Sequence, residues 1–182
     1  MRILSRTLIA FIVLYCLGFP LGVGYIKARS VLFPDAYRKL VFEISQKHKL
    51  DPLFIAALVY AESSFKPNVI SKSGAVGLMQ IMPNTALQLA PKLGLKFFSM
   101  NQLSIPEINL EIGCLFLSQL SDEFMDFTKV LVAYNAGRSN LMRWINGGDL
   151  LSQTFPETRL YVIKITRLYR LLKLLHGVHR FN

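Results

Sequence analysis

The run Leu53-Phe54-Ile55-Ala56-Ala57-Leu58-Val59-Tyr60-Ala61 constrains this chain more than any other stretch. Asp51-Pro52 before it is a helix start: Asp51 can accept from the free amides, and Pro52 suits the first helical position, where no N–H is needed. The helix that follows is apolar on every side, which fits the middle of a core rather than a surface. It is far shorter than the roughly 20 residues a membrane span takes. Glu62 then stands as a lone carboxylate at the carboxyl end of a buried helix. Apolar surroundings and the negative end of the helix dipole both disfavour its charged form, so its pKa is expected to be raised. A carboxylic acid still protonated near neutral pH can act as a general acid. The alternative is a glutamate that ends its helix at the surface and meets solvent.

Downstream, Ser71 to Gly77 is mostly small and polar and contains two glycines, a composition that lets backbone turn tightly or approach a ligand. Leu78-Met79-Gln80-Ile81-Met82 is an apolar run broken only by Gln80, whose amide can both donate and accept. Further on, an apolar helix expected over Thr128 to Tyr134 ends in Asn135-Ala136-Gly137, where small residues allow a turn that aims Tyr134 and Asn135 into a cleft. Two plainer readings stand beside these: methionines that fill core, and a core Tyr134 whose hydroxyl is satisfied by backbone.

Glu62-Ser63, Ser71, Gly74-Ala75, Gly77-Leu78-Met79-Gln80 and Pro83-Asn84-Thr85-Ala86 together resemble the lysozyme-like domain of the soluble-type lytic transglycosylases, which cleave the glycan strands of bacterial peptidoglycan. Ala133-Tyr134-Asn135-Ala136-Gly137 and Pro156-Glu157-Thr158-Arg159 with Tyr161-Val162 follow in that family's order. Asn109, Gly113 and Leu117 match a further signature, with Phe116 where the family commonly has Tyr and Arg138 where it often has Pro. Ordered blocks over about 100 residues are far more specific than one short motif. The resemblance implies that Glu62 is catalytic and that Ser63, Ser71, Met79, Gln80, Tyr134, Asn135 and Glu157 shape the subsite. Met79 would pack on a sugar ring, Tyr134 would contact the acid or the sugar, and Glu157 would lend negative charge to a cationic transition state. It implies peptidoglycan as substrate, with no cofactor and no metal. Ordinary glycosidases need two carboxylates, whereas in this family one Glu first protonates the glycosidic oxygen and then takes a proton from the sugar's own 6-hydroxyl. The product is a 1,6-anhydromuramyl end. The rivals are a catalytically silent glycan-binding or scaffold protein of the cell envelope and a lysozyme-type hydrolase.

The 182 residues suit one domain behind a leader. Arg2 and Arg6 precede an apolar stretch with Gly18, Pro20, Gly22 and Gly24 after it, the layout of a secretory signal. The same stretch, uncharged from Thr7 to Ile26, is long enough for one membrane span. The absence of an Ala-x-Ala site favours an uncleaved anchor. Residues 1–29 are therefore expected to be a signal peptide or membrane anchor, and 30–182 a lysozyme-like domain outside the cytoplasm, in the cell envelope. Two cysteines, Cys16 and Cys114, exclude a disulfide framework, and Tyr15 before Cys16 argues against lipid attachment there.

Lys plus Arg number 21 against 11 Asp plus Glu, a net charge of +10 that suits an anionic partner such as wall polymer or lipid headgroups. No zinc-finger spacing, basic-aromatic motif or phosphate-cradling loop points to nucleic acid. His48, without a second ligand at metal spacing, is expected to be an exposed helix end.

The remaining helices are expected over Pro34-Asp35 to His48, Asn84 to Leu93, Pro106 to Leu120, Asn140 to Ile145, and from Pro156 onward. In the last of these Lys164, Arg167, Arg170 and Lys173 recur every three residues, with Ile165, Leu168, Leu171, Leu172 and Leu175 expected on the packed side. Such a basic face lies either on anionic lipid or in solvent. The fold class is all-α.

Overall fold

The central helix forms where Asp51-Pro52 starts it. In the computed structural model, which describes residues 24, 27, 30–96, 98–146 and 148–176, α2 runs Pro52–Ser63. The Asp51 carboxylate accepts from the Leu53 amide at 2.8 Å. Every residue from Leu53 to Val59 is buried. Such a helix needs neighbours all round: α1 (Asp35–Lys47) packs on one side and α8 (Pro156–His176) on another.

Between these, in chain order, lie α3 (Pro83–Leu89), 3-10 turns at Ala90–Leu93 and Met100–Ser104, α4 (Pro106–Phe124), α5 (Phe127–Ala136), α6 (Arg138–Trp144) and α7 (Leu150–Gln153). Helix α8 bridges α2 and α5, and α4 packs on α5, α1 and α3. Among the described residues there is no β-strand; the loop between α2 and α3 makes two isolated bridges, Ile70 to Val76 and Val76 to Ile81. The fold is all-α, as the helical patterns imply.

Differences from expectation lie mainly at helix ends. The Asn84–Leu93 segment splits where Pro91, with no N–H to give, turns the α-helix into a 3-10 turn. Helix α4 continues to Phe124 and is stopped by Met125 in a left-handed conformation. The side chain of His48, expected outside, is 9% exposed, with Nε2 2.8 Å from Glu111 of α4 and Lys47 bonding the other carboxylate oxygen at 2.6 Å. Burial pushes the Glu111 carboxyl up, but those two partners outweigh it and hold it below the usual range. Cys114 is fully buried in α4. The leader at 1–29, with the apolar run 7–26 and Cys16, lies outside the described residues apart from residues 24 and 27. Among the described residues no helix is long and apolar enough to cross a membrane.

Candidate active site

Glu62 occupies the last turn of α2, facing the start of α8. The hydroxyl of Tyr161 donates to its Oε1 at 2.6 Å. Lys164, one turn further along α8, donates to the Ala61 carbonyl at 2.8 Å and sets a positive charge beside the carboxyl. Burial raises the Glu62 pKa to about 7, even though the Tyr161 hydrogen bond and the Lys164 charge both pull it down. The acid is therefore about half protonated at neutral pH, the condition a group needs to give a proton and then take one back. Neither Tyr161 nor Lys164 was expected from the sequence to touch this site; Tyr161 lies 99 residues away along the chain.

At the other end of the same interface Tyr169 donates to Asp51 Oδ2 at 2.5 Å. Two tyrosines of α8 thus hold both ends of α2, antiparallel to it. That clamp fixes the register of Glu62 against its partners.

The floor of the site is the α2–α3 loop, and a buried asparagine organises it. Asn109 of α4 donates through Nδ2 to the carbonyls of Val76 and Leu103 at 2.9 and 2.8 Å, while its Oδ1 accepts from the Met79 amide at 2.8 Å. Gly77, at φ 83°, passes so close that an added Cβ would lie 2.2 Å from the Asn109 amide nitrogen and 2.4 Å from the Leu103 carbonyl. Only glycine fits there.

The residues expected to shape a subsite separate into two groups. Gln80, Tyr134 and Asn135 converge on a cavity of about 270 Å³ walled also by Met82, Thr85 and Phe116. Gln80 is held by two carbonyls, of Gly77 at 2.9 Å and Val69 at 3.1 Å. Phe116 packs its ring 5.4 Å from that of Tyr134, so the Phe in place of the family's Tyr is a wall of the cavity.

The others sit elsewhere. Met79 is fully buried with its sulfur against Gly113, beneath the site rather than against a sugar, because α4 offers a glycine-sized notch there. Ser63 is buried too, its hydroxyl donating to the Leu78 carbonyl at 2.8 Å, so it ties helix to loop. Ser71 accepts from the Ala75 amide at 2.9 Å within the loop's own turn. Glu157 is exposed in the first turn of α8.

Tyr134, expected against the acid or the sugar or else satisfied by backbone, gives its hydroxyl to the Met79 carbonyl at 2.8 Å; the tyrosine bonded to the acid is Tyr161. Burial, then the Glu62 charge, keep both hydroxyls protonated far above the usual tyrosine range, so both serve as neutral donors. Arg138, at the position where a proline is common, pairs with Glu123 and joins α6 to α4. Among the described residues no three His, Cys, Asp or Glu side chains are grouped as a metal ion would need.

Residues 39–151 match the transglycosylase SLT domain. The chain belongs to that family. Glu62, Gln80, Tyr134 and Asn135 fall inside the matched residues of the SLT domain, whereas α8, with Tyr161 and Lys164, lies beyond them. The chain is 31% identical over 134 residues to membrane-bound lytic murein transglycosylase E of Buchnera aphidicola, covering 71% of this chain and 58% of that one. It is 32% identical over 142 residues to the soluble lytic murein transglycosylase of Escherichia coli, covering 71% of this chain but 22% of the relative.

Among solved structures, an inactive mutant of lytic transglycosylase Slt from Pseudomonas aeruginosa superposes with a TM-score of 0.74 at 28% identity, over 83% of this chain and 26% of that one. The 70-kDa soluble lytic transglycosylase in complex with bulgecin A gives 0.74 at 30% identity, over 80% and 25%. This SLT chain therefore spans between about a fifth and three fifths of the relatives named here.

Proposed function

We propose that the protein is a peptidoglycan lytic transglycosylase that cuts between N-acetylmuramic acid and N-acetylglucosamine without water. The observation that carries this reading is a single half-buried carboxyl with a pKa raised to about 7, hydrogen-bonded to Tyr161 and near enough for its charge to act on Tyr134, which lines the cavity. Membership of the SLT family and the murein transglycosylases among its relatives support the same substrate.

Glu62 in its neutral form gives its proton to the glycosidic oxygen as the C1–O bond breaks. The cationic sugar is stabilised by its own acetamido group and by the carboxylate just formed. Glu62 then takes the proton from the 6-hydroxyl as O6 bonds to C1, which closes the 1,6-anhydro ring and restores the acid. Among the described residues the groups that act on Glu62 are the neutral Tyr161 hydroxyl and the Lys164 charge, with no second carboxylate among them, which favours this one-carboxylate route over the paired acids of a hydrolase. Gln80 and Asn135 are suited to hydrogen-bond the sugar, and exposed Glu157, one turn before Tyr161, to face the cation. Export by the leader at 1–29, as signal or anchor, would put this chemistry in the cell envelope, where the wall is.

Digestion of purified sacculi followed by mass spectrometry of the muropeptides tests the reading. Wild type should release products one water lighter than their reducing counterparts, and Glu62→Gln should release none. Reducing ends alone would identify a lysozyme-type hydrolase. Sacculus binding without release by wild type would identify a silent binding protein.

A further inference from the structure

Helix α8 buries Thr158, Val162, Ile165, Leu172 and His176 against the rest of the chain. Its opposite side is neither buried nor uniformly polar: Leu160, Leu171 and Leu174 are 67%, 41% and 76% exposed. Leu171, expected on the packed side, belongs to the outside because the buried residues centre nearly half a turn away. At 3.6 residues per turn, Leu160, Lys164, Arg167, Leu171 and Leu174 fall within an arc of about 80° and along about 21 Å of helix. Arg167 and Arg170 point outward at the middle and edge of this stripe, while Lys164 reaches in to the Ala61 carbonyl and Lys173 to the Tyr169 ring. From Thr158 to His176 the helix has no acidic residue.

We propose that this face of α8 lies on an anionic phospholipid bilayer, with the three leucines in the headgroup–acyl boundary and Arg167 and Arg170 at the phosphates. Charge complementarity selects an anionic surface, since each basic residue near such a bilayer adds attraction. The leucines select lipid over wall polymer: a polar glycan offers them no apolar phase to enter, whereas the acyl boundary does. Arginine stems lie along apolar surface while their heads stay in water, so the two residue types need not compete. The run 7–26, read as an uncleaved anchor, would hold α8 close to a membrane. Tyr161, which bonds Glu62, lies about 100° round α8 from Leu160 with Lys164 between them at the edge of the stripe, so bilayer contact there sets Glu62 beside the helix, within about one helix diameter, about 10 Å, of the headgroups. Glycan close to the membrane would then be within its reach.

The test uses the full chain reconstituted into vesicles of phosphatidylcholine with or without phosphatidylglycerol, brominated high on the acyl chains as a contact quencher. Leu174→Trp should be quenched in the anionic vesicles above the background of Trp144. Leu87→Trp, on α3 and 54% exposed, should not be, since α3 packs on α4 and the 3-10 turns rather than on α8. Adding Arg167→Glu and Arg170→Glu to Leu174→Trp should cut the quenching about tenfold or more, as should high salt. Circular dichroism checks that the fold is kept. An unquenched Leu174→Trp in vesicle-bound chain, or equal quenching at Leu87→Trp, would overturn the proposal. So would an arginine variant that keeps its lipid contact but no longer pellets with sacculi, which would assign the face to glycan instead.

Discussion

Ionising Glu62 sets a charge where burial has removed most of its water, and the folded state bears that cost above pH 7. A free glutamate titrates near 4.5 and this one near 7. Between those values the folded chain holds a proton that the unfolded chain has lost, so stability falls as pH rises through that window and is level above it. The span corresponds to at most roughly 3 kcal/mol. Glu62→Gln, which cannot titrate, should therefore gain stability over wild type from pH 4.5 to 8 by up to that amount in urea unfolding; parallel pH curves would contradict a buried acid. Tyr161→Phe and Lys164→Met each remove a group that favours the ionised form. Both should move the basic limb of the activity–pH profile to higher pH, and an unchanged limb would detach them from Glu62. Position 62 and its raised pKa could be read from the chain, because nine apolar residues in one helix must be buried whatever they pack on. The identity of its tyrosine could not: Tyr134 and Tyr161 both follow apolar residues, and only packing decided which hydroxyl meets the acid.

The α2–α3 loop depends on α4 for its shape, through one side chain with three partners. Asn109→Ala leaves the Met79 amide and the Leu103 carbonyl without partners and takes from the Val76 carbonyl one of its two, the Ile81 amide remaining, a loss of about 2–4 kcal/mol at the rate of buried polar groups. Gly77→Ala should cost at least as much, since its Cβ meets the same asparagine and the Leu103 carbonyl, both pinned, at a φ that disfavours alanine. The two changes share an atom contact, so thermal melts of the double variant should fall short of the summed losses. Additive losses would mean that Asn109 and Gly77 do not act through one another. Helix existence here was readable from Pro and Gly punctuation, and the Pro52, Pro83, Pro106 and Pro156 starts all hold. Met79 and Ser63 were not readable as floor residues, because the notch at Gly113 and the Leu78 carbonyl that claim them come from other segments.

Across the whole molecule, α2 and α8 act as one unit held at two ends. The Tyr169 bond to Asp51 is remote from Glu62, so Tyr169→Phe should lower stability by about 1–2 kcal/mol in denaturant unfolding while leaving the activity–pH profile where it was. A shifted profile would show that the clamp transmits to the acid. The domain's helical class, its buried central helix and the lone acid at the helix end follow from the chain alone, since hydrophobic periodicity and capping are local properties of neighbouring residues. Which tyrosine and lysine serve that acid, which loop Asn109 shapes, and which leucines of α8 are left uncovered, was decided only by tertiary packing. Those choices depend on contacts between segments as far apart as 118 residues, and the chain records such distances only once it is folded.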